Sequence, residues 1–107
     1  MYSQKELVIL DENDNVGIIK KDMVKGQAIA ITYGGFDGVI EAQEDIPFGF
    51  KIALRDIGQG EKIYKFGEII GIATAPIAKG EMVHVHNVEG LRGRGDLEKE
   101  TTENGSK

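Results

Sequence analysis

Apolar positions along this chain come in short runs, each cut off by glycine or by acidic and amide residues. Glu6 to Leu10, Val16 to Ile19, Gln27 to Tyr33, Val39 to Ala42, Lys51 to Arg55, Lys62 to Lys65, Ile69 to Thr74 and Met82 to Asn87 have strand composition. Asp11 to Asn15 is a turn by composition, and Asp22 to Gly26 is a one-turn helix or a turn closed by glycine. Gly34-Gly35 reverses the chain, and Pro47 disfavours a central strand within Asp45 to Gly49. A pattern of apolar residue, glycine, polar residue and new apolar run recurs at Val24-Lys25-Gly26-Gln27, Ile57-Gly58-Gln59-Gly60-Glu61 and Ile77-Ala78-Lys79-Gly80-Glu81. It serves as a device for sharp re-entry into a sheet rather than as a long-period internal repeat.

Fifteen glycines against two prolines suit many short strands and work against long helices. The expected fold is therefore compact and mostly β, with short strands and glycine-rich turns. A length of 107 residues predicts one domain with a modest core and no room for a large catalytic cleft. Residues 1–92 form that domain, and 93–107 form a flexible charged tail with Leu97 as its only large apolar residue.

A net charge of −5 argues against nucleic-acid binding and against docking on an anionic membrane. No apolar run approaches the length of a bilayer span, and the N-terminus lacks a signal-peptide core, so a cytoplasmic location is expected. The absence of cysteine removes thiolate and disulfide chemistry.

Little catalytic inventory remains. His84 and His86 are the only two histidines, and in a strand they share one face. They are either ordinary surface residues or part of a site completed by a ligand or another chain. Alone they are too few to complete a zinc or iron centre. Arg92, Arg94 and Asp96, spaced by glycines, suit a carboxylate or sulfonate, or else belong to a charged tail. Gly34 to Gly38 lacks the lysine and hydroxyl residue of a phosphate loop and is a hairpin turn. Lys51 and Arg55 can reach a substrate anion or simply be solvated, and the four phenylalanines are core or turn-packing residues.

Three segments in order, Ile46 to Leu54, Ile63 to Gly71 and His84-Val85-His86-Asn87, resemble the small subunit or N-terminal domain of altronate and galactarate dehydratases. They are also similar to the small subunit of sulfolactate sulfo-lyase. The resemblance spans roughly residues 6 to 95 and implies a β-clip module of the SAF type. It further implies a separate large dehydratase subunit that holds most of an iron or other divalent-metal site and dehydrates a sugar acid. His84, His86 and Asn87 match the family's histidine motif, and Arg92 and Arg94 match an arginine-glycine extension of some members. The resemblance thus assigns His84 and His86 to catalysis or metal contact. It places Asn87, Arg92 and Arg94 at the substrate, where Lys51 is also expected from its own position between a turn and an apolar run. Many relatives carry histidine where this chain has Phe50. The expected function is an accessory subunit of a sugar-acid hydro-lyase, inactive alone. The alternatives are a sulfo-lyase small subunit or a freestanding module that binds a carbohydrate or acidic metabolite.

Overall fold

The structure is a computed structural model that describes residues 6–33 and 36–90. Among them are nine strands and no helix, which agrees with the mostly β, SAF-like expectation. They are β1 (Leu7–Val8), β2 (Val16–Ile19), β3 (Ala28–Tyr33), β4 (Phe36–Glu41), β5 (Lys51–Ala53), β6 (Lys62–Lys65), β7 (Glu68–Ala73), β8 (Met82–Val83) and β9 (Val88–Gly90). A central antiparallel sheet runs in the order β1-β2-β5-β8. The β3–β4 hairpin leaves it between β2 and β5, and the β6–β7 hairpin between β5 and β8, with β9 added beside β7.

Side chains alternate across a strand, so each central strand feeds both faces of the sheet. Ile52 and Leu54 enter one core with Ile19, Ile29, Ile40 and Ile46. Ala53 enters a second core with Val16, Ile57, Ile63, Ile77 and Val83. This explains why Ile52-Ala53-Leu54 is an unbroken apolar run: the strand is buried on both sides.

The recurring turn occurs four times, because Ile46-Pro47-Phe48-Gly49-Phe50 has the same form. Gly26, Gly49, Gly60 and Gly80 all take φ between 88° and 93°, a region closed to most side chains. The four copies close on each other in pairs, through the bridges Met23↔Ile46 and Ile57↔Ile77. Each pair pins the base of one hairpin, so the chain contains two successive bridge–hairpin–bridge units that share β5. A sequence reading of the pattern as isolated turns misses this, since only pairing in space reveals the unit. Aspartates cap across the pairs. Lys25 N–H donates to Asp45 at 2.8 Å, Phe48 N–H to Asp22 at 2.7 Å, and Lys79 N–H to Asp56 at 2.9 Å. Pro76 occupies the fourth aspartate's place.

One expectation needs correction. The last strand does not run from Met82 to Asn87: β8 stops at Val83 and residues 84–87 form a turn. Beyond the turn lies β9, which the composition of Val88-Glu89-Gly90 does not advertise. Of the two alternatives for Asp22 to Gly26, the structure takes the turn closed by glycine.

Candidate functional site

The turn after β8 is built by Asn87. Its side-chain oxygen accepts the His84 N–H at 3.0 Å, its amide nitrogen donates to the Met82 carbonyl at 2.9 Å, and its own N–H donates to the His84 carbonyl at 3.0 Å. Thr74 N–H then donates to the Asn87 carbonyl at 2.9 Å, which ties the turn to the end of β7. A buried amide of this kind keeps its hydrogen bonds because losing one leaves an unsatisfied group. Both ends of the Asn87 side chain are therefore engaged inside the loop.

This turn separates the two imidazoles. His84 is half-buried, His86 is exposed, and Val85 between them is 80% exposed. The shared face expected of a strand does not form. Instead, His84 and Lys51, together with Ile70, Val85, Val88 and Gly90, line one open groove of about 210 Å³. Lys51 comes from β5 and the imidazole from the turn. Ile70 comes from β7, where the register slips by one residue opposite Ile63/Tyr64. Such a bulge re-aims the extra side chain.

Burial, and secondarily the Lys65 ammonium, lower the Lys51 pKa below the ordinary 10.5. A cation held partly out of water beside another cation is a receptive partner for an anion. The His84 ring also packs against Phe50, with ring centroids 4.7 Å apart and planes tilted by 51°. Hollows at the two turn pairs are lined by Asp22 and Asp45, or by Asp56, whose carboxylates already accept backbone N–H groups.

Of the residues expected at a site, the fold brings Lys51 and His84 together and leaves His86 at the outer edge. Arg92 and Arg94 lie outside the described residues, as does the proposed tail. Among the described residues no three histidine, aspartate or glutamate side chains converge. The groove offers one imidazole, an ammonium and apolar carbon, a donor set that does not fit a divalent metal by itself. Ile70, Val88 and Gly90 escape sequence reasoning because the bulge and β9 that place them have no local signature. Phe50 had one: it ends the only turn copy without a polar residue after the glycine.

Residues 5–91 match the altronate/galactarate dehydratase SAF domain. The chain belongs to that family. It is 38% identical over 85 residues to altronate dehydratase of Bacillus subtilis, covering 79% of this chain but only 16% of that enzyme. It is 34% identical over 90 residues to the alpha subunit of (2R)-sulfolactate sulfo-lyase from Chromohalobacter salexigens, covering 81% of this chain and 96% of that subunit. The corresponding alpha subunit from Paracoccus pantotrophus is 34% identical over 62 residues and covered to 92%. Against the dehydratases this SAF-domain protein therefore spans a small fraction of the length, and against the sulfo-lyase subunits nearly all of it. No helix among the described residues is long and apolar enough to cross a membrane.

Proposed function

We propose that this SAF-domain protein is the accessory part of a sugar-acid hydro-lyase and shares its active site with a large catalytic chain. The convergence of Lys51 and His84 in one groove carries the reading. Elimination next to a carboxylate needs a cation to hold the developing enediolate and a group to move a proton. Lys51 supplies the cation for the carboxylate, and His84 the proton donor or acceptor. His86, at the exposed edge, reaches toward the large chain. Arg92 and Arg94, which follow Gly90 closely in sequence, are further cations for the substrate anion. The apolar groove wall and exposed Val85 are suited to burial against a partner. The large chain holds the divalent metal, iron in the family, because this groove lacks the ligands to do so. The large chain and the sugar acid are thus the partners, in the cytoplasm.

A second reading, elimination of sulfite rather than water, is favoured by one observation. The relatives matched over nearly their whole length are sulfo-lyase subunits. The same groove serves either leaving group.

The test is co-expression with a dehydratase-type large chain and purification through a tag on the small one. The eluate is then assayed for iron, altronate dehydration and sulfolactate cleavage. A stoichiometric, iron-bearing, active complex is expected. His84→Ala is expected to lower kcat by about 100-fold or more, within the usual range for general acid–base groups. Recovery of the small chain alone, without metal, would count for a freestanding binding module instead.

A further inference from the structure

We infer that Phe50 is a positioning residue that holds the His84 imidazole over the Lys51 groove. The inference rests on the role proposed for His84. The four turn copies provide an internal control. In three of them the residue after the glycine returns a side-chain oxygen to the turn. Val24 N–H donates to Gln27, Gly58 N–H to Glu61 and Ala78 N–H to Glu81. In the fourth copy the donor position is Pro47, which has no N–H to satisfy. The acceptor is unnecessary there, and Phe50 occupies its place. The turn itself still closes as in the other copies, with Phe50 N–H donating to the Pro47 carbonyl at 3.1 Å. The turn therefore does not explain the ring.

The surroundings of the ring do. Lys51 pairs with Val83, so one further step along the ladder sets Phe50 opposite His84. The ring packs against the first core and also meets the imidazole, at the 4.7 Å centroid distance of a tilted aromatic pair. The Phe50 carbonyl accepts the Ile19 N–H at 2.8 Å, which fixes the backbone from which the ring projects. Phe50 thus joins the core to the groove: the same ring touches the core and the His84 imidazole. A phenyl ring can orient an imidazole by shape without hydrogen-bonding either ring nitrogen, so both nitrogens stay available for chemistry.

The full chain contains two histidines, so the ring signals of His84 and His86 can be followed separately by NMR. The variants are Phe50→Ala, Phe50→Leu, which keeps an apolar contact with the core, and Phe50→Tyr, which keeps the ring. The expected result is loss of the ring-current shift of the His84 signals in the first two. Phe50→Tyr keeps that shift, and the His86 signals stay unmoved throughout. In the reconstituted lyase, Phe50→Leu lowers kcat by up to about 100-fold, the cost of a small misplacement, with a smaller change in KM. Should Phe50→Ala not fold, Phe50→Leu carries the comparison. His84 signals that are the same in wild type and Phe50→Leu overturn the inference. Signals that move while kcat holds overturn the catalytic part and count against His84 in the proposed function.

Discussion

The two bridge–hairpin units share a plan but differ in what restrains their hairpins. The β3–β4 hairpin has its own ladder and a paired turn at its base, and no further strand pairs with it among the described residues. The β6–β7 hairpin has in addition β9 along one edge and a buried clamp from the segment before β2. Asn15 donates to the Lys62 carbonyl at 2.9 Å and accepts the Tyr64 N–H at 2.8 Å. Asp14 accepts the Phe66 and Gly67 N–H groups at 2.9 and 2.8 Å. These bonds hold a tight turn in which Phe66 sits at φ 55°, a region unfavourable for a residue with a Cβ. The candidate groove lies on the doubly restrained unit. A site that needs Lys51, Ile70 and His84 in fixed relation belongs where the backbone has least freedom.

The largest expected effect breaks that restraint. Asp14→Ala removes a buried acceptor of two turn N–H groups and is expected to cost about 3 kcal/mol. The counterpart in the other hairpin, Asp37→Ala, loses an exposed bond from Thr32 at 3.1 Å and is expected to cost under about 0.5 kcal/mol. Urea denaturation of both gives the difference, and equal losses would remove the distinction between the units.

Next is Gly71→Ala. A Cβ there would lie 2.6 Å from both the Glu89 carbonyl oxygen and Val88 Cγ1, so β9 has to move. A cost of about 2 kcal/mol is expected from overpacking. Hydrogen exchange should speed up in β9 and the His84 turn and stay unchanged in β3 and β4.

Smaller still are the cross-caps. Asp22→Ala and Asp45→Ala each remove one carboxylate-to-amide bond at the base of the first unit, worth about 1 kcal/mol. Asp56→Ala does the same in the second unit, where Pro76 leaves it without a reciprocal cap. Thermal melts of the three should show similar losses. A much larger loss at Asp56 would mean that the second unit depends on its single cap.

The smallest effect concerns Lys51. Its pKa is lowered by burial and by Lys65, so the folded state holds this proton less tightly than the unfolded state. The cation therefore costs stability at every pH below its folded-state pKa, and the cost fades as pH rises from there to 10.5. Lys51→Met should be slightly more stable than wild type at neutral pH, with the advantage shrinking toward pH 10.5, while lyase activity is lost. A variant less stable than wild type at neutral pH would show Lys51 to be a structural cation.

Much of the strand order was legible. β2 and β6 match their expected runs residue for residue, because short apolar segments between obligatory turns leave few alternatives. The last strand was not legible. Val83-His84-Val85-His86 alternates as well as any strand, yet Asn87 folds back on His84 and closes a turn. Alternation states that a strand is possible, and a competing side-chain hydrogen bond decides whether it forms.

Readable from the chain alone were the mostly β class, three of the four recurring glycine turns, the lack of thiol chemistry and the small set of groups able to do chemistry. Those follow from composition and local backbone preference. Tertiary structure alone decided that the turns pair into two units and that His84 parts from His86. It also decided that Lys51 lines the same groove as His84 and that Phe50 packs against that imidazole. Each of these depends on which strands pair and in what register, and register is set by burial on both faces of the sheet rather than by any run of neighbouring residues.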